Sequence, residues 1–421
     1  MKMLLSLVLL LNIFVLRAQE SDYNRKALLK ELRSYIKDDK YSEVNALIKS
    51  AMSKFTEAKS DAELYNIWMN ANYNLALAEN RKIYLSNNPD TVKYMDYIYE
   101  VFADGLKCDS IGRIPDAKGR VKRKFYKNIN EKFSFFATNL ENAGKFFYTK
   151  RDYQRTCKFV ELYIKTELWK SGVYTFDSKE DSIPEALLDA NASRLAILAV
   201  MSAYATEDYK TLLKMYPIAV RDSLRQALVL ELACKSYNQI GDKTSYLNLL
   251  NKCFLKYPDK EYFFASLIKC YNDEGDTANA LNLAREAVRL NPANRNYWFV
   301  KGTEEQICQL EDSAIVSYSN AIKIKNDDAE SYSCLADVYL KKAREEDKRL
   351  TRLFADSFPK NDYLESQGRL KSLYAMACQN YESARRYSSD KTDLWFDGLK
   401  ECYYKLNKGH ELKLLENIIS K

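Results

Sequence analysis

The chain has 421 residues, of which 47% are hydrophobic and 29% charged, and its formal net charge is +7 at neutral pH. Eleven glycines and seven prolines are few for this length, which argues against a fold of many short strands and tight hairpins. The single histidine, His410, leaves almost nothing for a histidine metal cluster or a serine–histidine–aspartate triad.

The first 18 residues form a segment of their own. Lys2 precedes an apolar run that ends at Val15, and the small residue Ala18 follows shortly after. A basic start, a short apolar run and a small residue predict a secretory signal peptide at 1–18, cleaved after Ala18. We therefore expect an exported protein, periplasmic or secreted, that associates with membranes only through its partners.

Residues 19–226 keep a helical periodicity without a strict repeat. Leu28, Leu32 and Tyr35 are spaced as on one helix face. Asp152 and Asp208 each precede a tyrosine, at what we interpret as the turns of two helix pairs. This region is therefore interpreted as a series of degenerate helix pairs.

The second half of the chain repeats itself. Four residue pairs are each 34 residues apart, namely Tyr237 and Tyr271, Gly241 and Gly275, Cys253 and Ala287, and Pro258 and Pro292. In the copy at 261–294, Gly275 ends a first helix because glycine adopts a left-handed conformation with little strain. Ala284 and Ala287 lie on one face of a second helix, where small side chains allow close packing, and Pro292 ends the unit.

An aromatic residue, a turn glycine, a small residue and a closing proline in this order and period resemble the tetratricopeptide repeat (TPR). The resemblance is clearest at 227–328. It implies an all-α fold, a right-handed superhelical solenoid of about nine antiparallel helix pairs. Residues 227–421 would form the TPR solenoid, and 19–226 its degenerate TPR-like part. A helical insertion is expected at about 342–372, because Tyr339 and Ala377 are farther apart than the repeat allows.

In the family, the first helix of each pair lines the concave surface, so polar residues there are candidates for binding a partner. The candidates, called the groove row below, are Lys235, Asn238, Lys269, Asn272, Thr303 and Gln306. The lysines are 34 residues apart, and so are the asparagines. Such donors suit an extended peptide that presents carboxylates or carbonyl groups. The alternative, ordinary solvated polar residues, stays open.

Other chemistry has little support in the sequence. The nine cysteines include no Cys-x-x-Cys motif and are interpreted as small buried hydrophobic residues, with one incidental disulfide left open. The basic run at 119–124 predicts a solvated helix start or a site for an anionic partner. We expect no catalytic residue, no metal site, no cofactor and no nucleic acid partner.

The sequence thus favours an exported scaffold or adaptor, not an enzyme, that binds a protein or extended peptide on its concave face in a cell-envelope or secreted assembly. Two alternatives remain open. A glycan-binding accessory protein would present exposed aromatic pairs, for example near Trp169 and Tyr174. A hydrolase on a helical-repeat fold would hold two close carboxylates in a pocket.

Overall fold

The computed structural model describes residues 23–85, 88–173, 188, 190–355 and 360–419. Every regular element in these ranges is helical, with eighteen α-helices and two short 3₁₀ helices, and the predicted all-α class is confirmed. No helix in these ranges combines the length and the apolar character needed to cross a membrane. The predicted signal peptide at 1–18 lies outside the described residues.

The chain divides into two compact units, 1–243 and 244–421. The described part of unit one contains nine α-helices: α1 (Arg25–Lys37), α2 (Tyr41–Lys54), α3 (Ala62–Tyr84), α4 (Thr91–Gly112), α5 (Tyr126–Thr149), α6 (Tyr153–Lys170), α7 (Ala190–Ala205), α8 (Tyr209–Ala219) and α9 (Gln226–Gln239). This division falls later than the 226/227 boundary, which marks where the sequence repeat becomes clear and which stays a prediction.

Unit two contains the other nine described helices. They are α10 (Lys243–Lys256, whose first residue belongs to unit one), α11 (Glu261–Asp273), α12 (Thr277–Leu290), α13 (Arg295–Ile307), α14 (Glu311–Ile324), α15 (Ala329–Ala355), α16 (Lys360–Tyr387), α17 (Phe396–Lys405) and α18 (Gly409–Ile419). The number of repeat pairs, about nine, stays a prediction.

Within each unit, the helices pack mainly against their neighbours in sequence. In unit one every helix from α1 to α9 contacts the next, and in unit two the same holds from α11 to α18. The buried apolar residues form local clusters, one shared by α1, α2 and α3 and another by α15 to α18. Such nearest-neighbour burial is the packing expected of a solenoid.

One turn geometry recurs at seven helix ends. A residue with φ between 55° and 76° lies two positions before the next helix, and these residues are Asp39, Arg151, Glu207, Gly241, Gly275, Gln309 and Asn407. In each turn the following amide donates to the carbonyl five residues earlier, at 2.8 to 3.0 Å, as Asp276 N does to Tyr271 O. This is the Schellman motif, which satisfies carbonyls at a helix end and reverses the chain.

The residue after the left-handed position often caps the second helix. Asp152, Asp208 and Asp276 each accept a hydrogen bond at 3.1 Å from the backbone amide three residues later. An aspartate at this position satisfies one of the amides that a helix start leaves without a partner. The predicted turns at 152–153, 208–209 and 275–277 therefore lie where the helix pairs reverse.

Small residues at repeat positions let the helices approach closely. Ala280, Ala284 and Ala287 on α12 are fully buried. On α13, a Cβ atom at Gly302 would come within 2.8 Å of the Tyr318 ring on α14. Glycine is therefore needed at position 302 because the aromatic ring of the paired helix occupies the space of a side chain.

The described residues of the predicted insertion at about 342–372 belong to the two longest of the described helices. Residues 342–355 continue α15 and 360–372 belong to α16, which have 27 and 28 residues. The two helices pack against each other, and Arg349 donates to Ser366 at 2.6 Å across them. At 1.5 Å per residue each helix is about 40 Å long, so this pair is an extended arm within unit two.

The turn geometry yields a reciprocal test. Gly275→Ala should lower the free energy of unfolding by about 1–2 kcal/mol, because a Cβ strains a left-handed residue. No atom lies within 4 Å of that Cβ position, so the loss would report backbone strain alone. Glu207→Gly, at the equivalent position, should raise stability by about 0.5–1 kcal/mol. Urea denaturation measures both.

Gly368→Ala is the matched control for this test. Gly368 lies inside α16, also with no atom within 4 Å of an added Cβ. The same substitution should there raise stability by up to about 1 kcal/mol, because alanine favours a helix. Equal effects of the two glycine substitutions would contradict the role given to the turn.

Candidate functional site

The groove row is carried by three helices, α9 in unit one and α11 and α13 in unit two. On α9, Lys235 Nζ lies 2.6 Å from Glu231 Oε1 one helical turn away, while Asn238 is exposed. Of the two groove-row residues on α9, Asn238 is therefore accessible and Lys235 is half-exposed. The ammonium group of Lys235 is engaged by a carboxylate of its own helix.

On α11 and α13, an amide and a carboxylate connect the two helices. Asn272 Nδ2 donates to Glu304 Oε1 at 3.0 Å, and Glu304 is only 1% exposed. The other oxygen, Glu304 Oε2, is buried and accepts no hydrogen bond from the described part of the chain. Removing the Asn272 amide would leave a buried carboxylate without any donor, which is costly. Asn272 therefore holds α11 beside α13.

The two groove-row residues on α13 are tied to a buried tyrosine. The Tyr318 hydroxyl donates to Gln306 Oε1 at 2.5 Å and lies 3.3 Å from Thr303 Oγ1. Burial raises the pKa of Tyr318 well above its ordinary value, so the hydroxyl keeps its proton. The carbonyl oxygen of Gln306 is used internally, and its amide nitrogen is the group left for a partner.

Lys269 on α11 is the remaining member of the row. It is exposed, and no carboxylate among the described residues lies within ion-pair distance. The unit-two part of the row thus offers an ammonium group and an amide donor beside the Asn272–Glu304 pair. One repeat further along, Asp337 and Leu340 replace Thr303 and Gln306, so the row of neutral or cationic donors ends at α13.

The hydrolase alternative requires two close carboxylates, and α4 carries such a pair. Glu100 and Asp104 are one helical turn apart. Burial is the main cause that raises the pKa of each carboxyl group, and the nearby charge of Glu100 raises the pKa of Asp104 further. Asp104 is 4% exposed and accepts from Asn72 Nδ2 at 3.1 Å. A carboxylate enclosed in this way cannot contact a substrate, so this pair does not form a glycosidase-type site.

The remaining sequence hypotheses concern cysteine and aromatic residues. Burial raises the pKa of the thiols to about 12 at Cys108, Cys157, Cys378 and Cys402, and to about 11 at Cys334. These thiols are protonated at neutral pH and are poor nucleophiles. No group of three or more metal-binding side chains occurs in the ranges that the structure describes.

The glycan hypothesis placed an exposed aromatic pair near Trp169 and Tyr174. Trp169 is only 3% exposed, and its Nε1 donates to Asp109 Oδ2 at 2.8 Å. The expected exposure of Trp169 is therefore wrong, because the indole is held inside by a buried carboxylate. Tyr174 lies outside the described residues.

Asp104 provides a test by pH. Its folded-state pKa is raised by burial, so the folded protein binds this proton more tightly than the unfolded chain does. The contribution of Asp104 to folding stability is therefore fully present at low pH, and it is lost as the pH rises above the ordinary pKa of aspartate. Asp104→Asn removes this loss and should stabilise the protein more at pH 8 than at pH 4. Thermal or urea denaturation at the two pH values measures the difference, and an equal effect at both would contradict it.

Comparison with known proteins adds to this geometry. A family model described as a TPR repeat matches residues 312–342, which lie in α14 and the first half of α15. A search of curated proteins finds no match.

Several solved structures are similar. The C-terminal part of a TPR repeat-containing protein from Cytophaga hutchinsonii has 10% identity and a TM-score of 0.39, covering 65% of this chain and 90% of that one. A TPR repeats protein from Bacteroides fragilis has 14% identity and a TM-score of 0.32, covering 65% and 98%. TTC0263, a TPR protein from Thermus thermophilus, has 18% identity and a TM-score of 0.28, covering 49% and 96%. The family model alone assigns a tetratricopeptide repeat to this all-α chain, at residues 312–342.

Proposed function

We propose that this protein is an exported scaffold that binds a protein or an extended peptide on the face formed by α11 and α13 of unit two. Proteins with TPR repeats generally bind protein partners, and a stack of helix pairs suits an adaptor. The export, the partner and the face are our proposal.

The observation that carries the proposal is the position of the polar groups on α11 and α13. The Asn272–Glu304 hydrogen bond, at 3.0 Å, holds the two helices side by side. Lys269 is exposed on α11, and Gln306 on α13 keeps its amide nitrogen after its carbonyl accepts from Tyr318. An ammonium group can bind a carboxylate, and an amide can donate to a backbone carbonyl. A peptide lying across the two helices could meet both.

Asn238 and Lys235 on α9 belong to the same predicted row at the 34-residue spacing. Lys235 already pairs with Glu231, so a partner carboxylate would have to replace that contact. We therefore assign recognition on the α11–α13 face to Lys269 and Gln306.

Charge reversal on this face tests the proposal. A photoreactive residue at position 269 should crosslink a partner in intact cells, whereas one at position 252 on α10 should not. With that partner purified, the double variant Lys269→Glu and Gln306→Glu should weaken binding at least about tenfold, about 1.4 kcal/mol. Gln306→Glu keeps the oxygen that Tyr318 requires, so the fold should be retained.

The matched control is Lys252→Glu with Asn248→Asp. Both residues are exposed on α10 in unit two, and the double variant changes the net charge by the same amount. Binding that falls equally in the control, or that persists in the Lys269 and Gln306 variant, would rule out this face as the binding site.

Export is tested separately. The mature protein should begin at Gln19, and Ala18→Arg should leave the uncleaved precursor, because a large charged residue before the cut prevents processing. Mass spectrometry of the protein from cell fractions measures both. A full-length chain that starts at Met1 and stays in the cytosol would contradict export.

A further inference from the structure

The positive charge of this protein is concentrated in one short stretch. Residues 107–127, called the basic segment below, contain eight lysines and arginines but only two aspartates, for a net charge of +6. The whole chain has a net charge of +7, so the remaining residues together carry +1. The basic segment comprises the end of α4, the connection to α5 and the start of α5.

A cleft of about 330 Å³ lies between α4 and α6, next to this segment. Its apolar walls include Leu106, Leu162, Leu168 and Trp169, and its charged lining residues are Lys107, Arg113 and Lys165. No carboxylate is among the residues that line it. The volume lies at the lower end of the range for small-molecule sites, and it suits one large apolar side chain.

A buried carboxylate fixes the basic segment against the wall of this cleft. Asp109, 3% exposed, accepts from Trp169 Nε1 at 2.8 Å and from Arg123 Nε at 2.9 Å. The Arg123 guanidinium group also lies 4.0 Å from the centre of the Tyr126 ring, which is itself 5.3 Å from the Trp169 ring. The connection between α4 and α5 is therefore anchored directly behind the cleft wall.

The two aspartates of the segment are used by their neighbours. Asp109 pairs with Arg113 and Arg123, and Asp116 pairs with Arg120 and Lys122. Four exposed lysines have no carboxylate within ion-pair distance in the described part of the chain, and they are Lys107, Lys118, Lys124 and Lys127. None of the described carboxylates neutralises these four charges, which are therefore available to a polyanionic partner.

The combination of a cleft and a broad positive surface decides among the possible ligands. A small anion would use only one or two of the lysines. An anionic lipid surface would attract the lysines, and Ile114 and Val121 are exposed beside them at 67% and 52%. A bilayer surface, however, cannot fill a concave cleft. An acidic polypeptide with one apolar side chain satisfies both features, since the side chain fills the cleft and the carboxylates meet the lysines.

We propose that the α4–α6 cleft and the basic segment form a docking site for an acidic segment of a partner protein, anchored by one large apolar side chain. This site lies in unit one and is independent of the α11–α13 face, so it goes beyond the function proposed above. Either proposal can fail without the other.

The probe is a labelled peptide of aspartate and glutamate residues around one central leucine, measured by fluorescence anisotropy with the full chain. It should bind, and its affinity should fall with added salt, because exposed charges are screened over about 10 Å at 0.1 M. A peptide with asparagine and glutamine in place of the acids, and one with serine in place of leucine, should each bind at least about tenfold more weakly. Equal binding of either comparison peptide would overturn the proposal.

Two variants locate the site. A quadruple variant replaces Lys107, Lys118, Lys124 and Lys127 with glutamine. It should bind the acidic peptide at least about tenfold more weakly than the parent does. Its matched control changes Lys26, Lys30, Lys37 and Lys59 to glutamine, four exposed lysines of the same unit. Ser110 is an exposed residue that lines the cleft, so Ser110→Phe should fill the cleft. This variant should weaken binding of the peptide with leucine but not of the peptide with serine in its place.

A third arm distinguishes a lipid surface. Vesicles of phosphatidylcholine with and without phosphatidylglycerol are tested by sedimentation with the parent and the quadruple variant. Binding to the anionic vesicles without binding to the acidic peptide would overturn the proposal in favour of a membrane surface. The Lys269→Glu and Gln306→Glu variant should bind the acidic peptide as the parent does, and a loss there would also count against the assigned site.

Discussion

The recurring left-handed turn is the constraint on which the described architecture depends. Each such turn closes a Schellman hydrogen bond, as between Asp276 N and Tyr271 O, and thereby fixes where one helix stops and how the chain enters the next. Once the reversal is fixed, the apolar faces of two helices meet without any long-range contact. Close packing such as Gly302 against Tyr318 follows from this placement. Local geometry at a few residues thus sets the packing of each unit.

Sequence reasoning recognised the fold where this turn contains glycine. Gly241 and Gly275 gave a clear signal, because glycine is the residue that adopts positive φ without strain. At Arg151 and Glu207 the same conformation is held by residues that normally avoid it, so the repeat looked degenerate although its geometry is intact. The aspartate that follows each of these two positions is a helix cap and was the signal that remained readable.

The repeat spacing predicts the residues of the groove row, but it does not predict which side chains they contact. The 34-residue spacing identified Lys269, Asn272 and Gln306, but not the buried Glu304 or the hydroxyl of Tyr318 that bind two of them. A glutamate beside lysines in sequence suggests a solvated surface, and only tertiary packing shows that Glu304 is enclosed. The basic segment was visible as a charge run. Its association with a cleft depends on Asp109, which joins residues far apart in sequence.

The separate apolar clusters have a mechanical consequence. In the described ranges, one cluster is shared by α1 to α3 and another by α15 to α18, so the helices at these two positions are held by their neighbours in sequence. A pulling force applied at the end of a unit would unfold one helix pair at a time, so the unit would lengthen in small steps. Each unit should therefore stretch as an elastic element whose terminal pairs open and reseal, while the interior pairs keep their contacts.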